Sequence, residues 1–313
     1  MGGGHVQTLA SFFLRRRIEL PAPEERRVEV EPGVKILCHC HWQSVRRDAL
    51  TIIVVHGLEG SSDSQYMVGI AHKGMALGMN VIRMNQRNCG GRDCETPSLY
   101  HSGRSSDVAA VAKHFVDEDK ISRFALAGFS MGGNLVLKLA GEWGNEGPSQ
   151  FKAVAAVCPA LDLGPSADAL HLPANRLYEY YFLWKLRRRL RDKAKVFPGK
   201  FEVARLRRVK TLRDFDDKIT AYYCGFAGAT DYYTRSSASN VVDRIAVPTF
   251  ILHAANDPFI RILPETRRKV MENPNITFLE TEDGGHCSFL GVPDGDDGYW
   301  AESRVVEFFS QFR

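Results

Sequence analysis

No window of this sequence approaches the roughly 20 consecutive apolar residues that a membrane-spanning helix needs, so no stable membrane anchor is expected. The opening MGGGHVQTLASFFLRRR lacks a basic stretch ahead of an apolar core. Its apolar run is short and its arginines come after it, which argues against a secretory leader. A disulfide framework is missing too: the seven cysteines are odd in number and irregularly spaced, so a reducing, cytoplasmic compartment is expected. Charge of one sign is scarce. Against 41 Lys and Arg stand 37 Asp and Glu, a net +4, too little to call for a polyanionic partner. Repeats, low-complexity tracts and flexible linkers are also lacking, so residues 1–313 read as a single domain.

What is present is an alternation of short apolar runs and amphipathic stretches. Residues 26–42, RRVEVEPGVKILCHCHW, alternate on either side of Pro32-Gly33, with Val34, Ile36, Cys38, Cys40 and Trp42 on one face; this predicts a hairpin of half-buried antiparallel strands. The runs LTIIVVHG, NVIRMNQ, FALAGFS, AVAAVCPA and PTFILHA do not alternate and fit parallel strands buried on both faces. Between them lie helical stripes: Val108, Val111, Ala112 and Phe115 within 103–117, and Val305, Phe308, Phe309 and Phe312 at the C-terminus. Strands alternating with helices specify an α/β fold with a mostly parallel, doubly wound sheet. Residues 165–243 interrupt the rhythm. They are rich in aromatic and basic residues, hold no strand-like run, and read as a helical cap inserted in the domain.

The segment LAGFSMGGNL places Gly128-x-Ser130-x-Gly132 directly after one of these strands and directly before a helix. That is the arrangement of a nucleophile elbow, in which a sharp turn exposes a serine hydroxyl at the head of a helix. Side chains at Gly128 or Gly132 would collide with the adjoining helix and strand. Serine needs a base, and the base needs an orienting carboxylate. Asp257 stands just past the strand PTFILHA, and His286 follows Gly284-Gly285 in a loop before the last helix, in the chain order serine, acid, histidine. Asp231, Asp243 and Asp283 are weaker candidates for the acid. Strand IIVV ends in His56-Gly57-Leu58-Glu59-Gly60, a loop suited to supply one backbone N–H of an oxyanion hole. The pair assigned to that hole is Leu58 and Met131, with Gly57 and His56 bracing the loop.

The chain resembles the α/β-hydrolase superfamily, and within it the YheT-type hydrolases of bacteria and the ABHD1/ABHD3-like proteins of eukaryotes. GGGHVQTL, HGLEGSSDSQYM, GFSMGGNL and DFDDKITAYYCGFAGATDYYTRSSA carry the likeness, which runs over nearly the whole chain. It implies an α/β-hydrolase fold and carboxylic ester hydrolysis, with Ser130, Asp257 and His286 at the family's catalytic positions; some relatives act as phospholipases or as alcohol acyltransferases. Two loops depart from the family's pattern. Asn256 stands in AANDP where relatives carry a second acid, and NQRNCGG replaces a more usual Arg-Gly; both are expected to affect the pocket wall and neither the triad.

Three further features are weighed against chemistry. In CHCHW, Cys38 and Cys40 fall on one strand face and His39 and His41 on the other, so hairpin packing is expected and no metal. Cys287, next to the candidate base, has no evident activator and is read as loop packing. Lys185–Arg213 contains thirteen Lys or Arg and only Asp192 and Glu202. It is read as a solvated outer face of the cap, with peripheral lipid contact left open and no base-stacking pattern for nucleic acid. The aromatics Tyr178, Tyr181, Phe182 and Trp184 either line an acyl pocket or anchor the cap. The expected function is a serine ester hydrolase acting on short- to medium-chain acyl esters without metal or organic cofactor. The alternatives are an alcohol O-acyltransferase, a phospholipase-like lipid hydrolase, and a non-catalytic binding protein on the same scaffold.

Overall fold

The computed structural model describes residues 3–14, 16–91, 95–293 and 297–313. Eight strands form one sheet: β1 (Glu24–Glu31), β2 (Val34–His41), β3 (Thr51–Val55), β4 (Asn80–Met84), β5 (Phe124–Phe129), β6 (Phe151–Val157), β7 (Thr249–Ala254) and β8 (Ile276–Thr281). Their order is β1-β2-β4-β3-β5-β6-β7-β8. β1 and β2 run antiparallel to each other and β2 runs antiparallel to β4, whereas every pair from β4 to β8 is parallel. The ends of β3, β5, β7 and β8 therefore open at one edge of the sheet, where parallel α/β sheets bind ligands.

Strands β3, β4 and β5 are buried along their whole length, as their mostly apolar runs require, and in β4 the burial includes Asn80 and Arg83. Ile53, Val55 and Leu126 join the core on one face, with Val108, Val111 and Phe115; Ile52, Val54 and Ala127 join the core on the other, with Val305 and Phe309. Burying each such side chain contributes roughly 1.5–3 kcal/mol. The hairpin departs from its expected half-burial. β1 alternates as predicted, but Leu37 and His41 of β2 are buried beside Ile36, Cys38 and Cys40. The reason is topological: β2 is an interior strand that pairs with β4, and of the two hairpin strands β1 alone lies at an edge of the sheet.

The helices are α1 (Gly4–Phe13), α2 (Gln65–Ala76), α3 (Ser105–Glu118), α4 (Met131–Trp143), α5 (Leu163–Leu170), α6 (Arg176–Val196), α7 (Leu212–Phe215), α8 (Tyr222–Cys224), α9 (Ala229–Ser236), α10 (Pro264–Glu272) and α11 (Trp300–Ser310). Between β6 and β7 the chain is helical throughout its ordered elements, and this helical run begins at Leu163, two residues before the predicted boundary. In α6, Leu183, Leu186, Leu190 and Lys193 form one buried stripe. Thr211 opens α7 with a capping box: its hydroxyl accepts from Asp214 N at 3.0 Å, and Asp214 Oδ2 accepts from Thr211 N at 3.1 Å. Among the described residues no helix is long and apolar enough to cross a membrane.

The basic segment is not a uniformly solvated face. Arg188 and Arg191 are exposed, but Lys193 is buried and donates to the Thr96 carbonyl. Lys185 reaches the Glu59 carbonyl at 3.1 Å, and Arg189 Nε pairs with Glu59 Oε1 at 3.0 Å. Glu59 sits in the loop after β3, so these cations tie α6 to the sheet edge. Spacing along the sequence could not show this, because the partners lie more than 95 residues away.

Candidate active site

Strand β5 ends at Phe129, and Ser130 caps α4 at φ 54°, ψ −119°. Positive φ is unfavourable for a residue with a Cβ, so this strain is held by the surroundings. The flanking glycines are what permit it. A Cβ on Gly128 would overlap the Gly132 carbonyl, and a Cβ on Gly132 would overlap the Val55 carbonyl of β3. Ser130 N donates to Val157 O at 2.9 Å, which fixes the turn against β6.

Beside Ser130 lies a cavity of about 100 Å³, walled mainly by apolar side chains from α5, α6 and the loop after β7. Leu58 and Met131 both line it, and among the described residues neither backbone N–H is taken by another group. The start of α4 adds the positive end of its helix dipole. The loop carrying Leu58 is fixed by His56, which is fully buried. Its Nε2 accepts from Gln86 N at 3.1 Å, so Nδ1 carries the proton and donates to Gly57 O at 2.7 Å. Burial holds this imidazole neutral, its pKa pushed down to about 4. Gly57 N in turn donates to Tyr66 Oη at 3.0 Å, and Tyr66 stacks on Phe129.

Asp257 and His286 meet in the loops after β7 and β8. His286 Nδ1 lies 2.8 Å from Asp257 Oδ2. Asp257 Oδ1 accepts from Phe259 N at 3.0 Å and Ile260 N at 2.9 Å. Burial opposes charge on Asp257, but the imidazole and these two N–H groups outweigh it and hold the carboxyl below its ordinary value. Burial also works against the charged His286, and Asp257 again prevails, raising the imidazole to about 10. Asp231, Asp243 and Asp283 make no such pair. Phe259 packs on the His286 ring with centroids 4.3 Å apart and lines the cavity beside Ser130. Ser130 Oγ itself has no hydrogen-bond partner among the described residues.

His286 Nε2 faces sulfur at rest. Cys287 Sγ lies 3.9 Å from it and 3.5 Å from Val157 O, the same carbonyl that takes Ser130 N. Cys287 is thus in contact with the imidazole, not simply packed in a loop; its positive φ of 61° turns its side chain back toward its neighbour. Donor atoms of Cys158, His286 and Cys287 lie within 4.8 Å of one another, as do those of Cys158, His253 and Asp257. Both groups have the donor types a soft metal ion takes, and both include a member of the Asp257–His286 pair. The CHCH stretch does not form such a group: Cys38 and Cys40 join the core, while His41 accepts from Arg83 Nε at 3.3 Å on the other face.

Sequence reasoning missed what holds His286. Thr8 Oγ1 accepts from His286 N at 2.8 Å, Ser11 Oγ meets Ser288 Oγ at 2.8 Å, and Gln7 Oε1 accepts from Leu290 N at 3.0 Å. Helix α1 therefore docks on the histidine loop. Gly4 permits the approach, since a Cβ there would overlap the Asn256 carbonyl. Asn256 also bonds to the loop that carries His286. Its Oδ1 accepts from Gly285 N at 2.9 Å and its Nδ2 donates to Asp283 Oδ1 at 2.6 Å, a donor role that an aspartate could not fill. The segment GGGHVQTL was the available signal, but nothing local says what it contacts. The four cap aromatics divide: Phe182 lines the cavity, Tyr178 stacks on His5 of α1, Tyr181 packs edge-on against Phe182, and Trp184 is exposed.

Comparison with known proteins identifies the family and the fold. A family model described as the alpha/beta hydrolase fold matches residues 51–292. YheT of Escherichia coli strain K12, a protein named as an esterase, is 30% identical over 315 residues, covering 98% of this chain and 90% of its own. The mouse phospholipase ABHD3 is 28% identical over 265 residues, covering 84% of this chain; the chain spans 62% of that protein. Among solved structures, the Pyrococcus furiosus esterase Pf2001 superposes with a TM-score of 0.59 at 17% identity, covering 92% of each chain, a likeness of fold.

Proposed function

The chain belongs to the α/β-hydrolase fold family, and from that premise we propose that it is a serine carboxylic ester hydrolase working through an acyl-enzyme. The observation that carries the proposal is Ser130, held at positive φ at the head of α4 in the wall of an apolar cavity. In the proposed reaction, His286 Nε2 takes the Ser130 proton as Oγ attacks the ester carbonyl. Asp257 fixes the tautomer through Nδ1 and stabilises the imidazolium. The N–H groups of Leu58 and Met131 receive the oxyanion. His286 then protonates the departing alcohol, and water, deprotonated by the same imidazole, cleaves the acyl-enzyme. Ser130 Oγ is unpartnered at rest, so its bond to Nε2 has to form as the ester binds.

The cavity supports the short end of the expected acyl range. An engineered cavity of about 150 Å³ accepts benzene, and this one is smaller at about 100 Å³. Cytoplasmic surroundings are part of the proposal, and the six described cysteines, all free thiols, fit it. The test is hydrolysis of p-nitrophenyl esters from acetate to palmitate by wild type and Ser130→Ala. Activity that peaks at short chains and disappears in the variant is expected. Activity retained by the variant, or none at any length, overturns the reading. New ethyl ester formed in the presence of ethanol would redirect it to acyl transfer.

A further inference from the structure

The cavity beside Ser130 carries one carboxylate, a group that a hydrocarbon pocket has no use for. Leu58, Leu163, Leu186 and Phe259 make its apolar wall; His101, Ser102, Ser166 and Tyr232 add neutral polar groups, and Asp216 is its one acid. Asp216 opens a π-helical turn, Asp216–Ala221, that follows α7 directly. Such turns are rare and recur at functional positions. Thr220 in this turn donates its hydroxyl to Asp216 Oδ1 at 2.8 Å, and Tyr233 Oη, from α9, donates to Oδ2 at 2.7 Å.

A carboxylate has about four lone-pair sites. Here one site on each oxygen is filled, and among the described residues no third donor reaches either oxygen. Arg213, the cation that acts on it, is bound instead to Asp168 through Nε at 2.6 Å and Nη2 at 2.8 Å. Burial raises the Asp216 carboxyl to about 6, while the Tyr233 and Thr220 hydroxyls that donate to it favour the charged form. An under-filled carboxylate thus faces the space beside the nucleophile. A saturated acyl chain would cover it with methylene groups and supply no donor, which is costly for a buried charge. A hydroxylated acyl chain would supply the missing hydrogen bond.

We propose that Asp216 reads a hydroxyl group on the acyl moiety, and that the preferred substrates are esters of short hydroxy acids. This rests on the reading of Ser130 as the nucleophile that accepts the acyl group. Asp216 acts only on substrate binding; the hydrolytic steps are unchanged.

The test compares kcat/KM for phenyl β-hydroxybutanoate and phenyl butanoate in the full-length wild type, Asp216→Asn and Asp216→Leu. Ser130 labelling by a fluorophosphonate counts intact sites in each. A hydrogen bond to a charged group predicts a preference for the hydroxy ester of about ten- to a hundredfold in the wild type. The preference should fall by about tenfold in Asp216→Asn and to about one in Asp216→Leu. A wild-type ratio near one, with Ser130 labelled, overturns the hydroxyl proposal and leaves the esterase reading standing. So does a ratio that survives both substitutions. If neither ester turns over and Ser130 is not labelled, the serine-hydrolase reading itself fails and takes this one with it. The wild-type ratio decides even if Asp216→Leu does not fold.

Discussion

The two halves of the candidate site are built in different ways. The Ser130 half, made by the loops after β3 and β5, sits at the ends of adjacent central strands: Ser130, Met131, Leu58 and their glycines lie within a few residues of those buried strands, and His56, Tyr66 and Gln86 lock the loop from behind. The Asp257–His286 half, after β7 and β8, draws on an element outside the sheet. Asp257 is fixed by its own turn, but the His286 backbone is held by Thr8, 278 residues away in sequence. Strain at Ser130 is maintained by the flanking strands β3 and β6, whereas the imidazole is placed by a helix from the far end of the chain. Damage should therefore be abrupt in the first half and graded in the second.

Ser130→Ala breaks the first half outright. Loss of kcat on the order of a million-fold is expected, with thermal unfolding close to the wild-type value because no buried partner is abandoned. Next is Asp257→Asn, which leaves the shape of the acid but not its charge, and should cost on the order of ten thousandfold. It also tests the electrostatics. Asp257 raises the His286 pKa, so wild-type kcat/KM should climb with pH, with a midpoint above the ordinary 6.5 as the imidazole loses its proton. In Asp257→Asn the midpoint should move to lower pH; a midpoint that stays put would show that the carboxylate does not act on His286. The sign for stability is opposite to that for activity. The histidine's contribution is complete below its unfolded pKa and is lost as pH rises through the folded value of about 10, whereas the contribution of Asp257, held below its ordinary value, is lost only as pH falls through the carboxylate's folded value.

Thr8→Val removes the acceptor for His286 N while keeping the shape of the side chain. About a tenfold loss in kcat is expected, with little change in KM and a drift in the pH midpoint, because the base is placed less well but the cavity is untouched. A fall in stability with unaltered kinetics per labelled Ser130 would make α1 a packing element only. Asn256→Asp should have the smallest effect, a few-fold. Its oxygen can still accept from Gly285 N, but it forfeits the donor to Asp283 and sets two carboxylates side by side.

Legibility in the sequence followed the same division. The sheet, the elbow and the Ser130–Asp257–His286 order could be read because strand runs, Gly-x-Ser-x-Gly and the loop positions are local patterns. The faces of CHCH were readable for the same reason. Burial of β2 was not, since it depends on pairing with β4, and neither were the anchoring roles of Arg189 and Lys193 or the docking of α1 beneath His286. Cys287 seemed idle because its neighbour's ring orientation cannot be inferred from spacing. Asp216 was passed over among the acids, because only the fold turns its π-helical segment toward the cavity.

The central claim is that Ser130 carries the acyl group. Acid-quenched incubation of wild type with p-nitrophenyl butanoate, followed by peptide mass spectrometry, tests it most directly. A butanoyl adduct is expected on the peptide containing Ser130, absent from Ser130→Ala. An adduct on Cys287, or hydrolysis with no covalent adduct at Ser130, would contradict it.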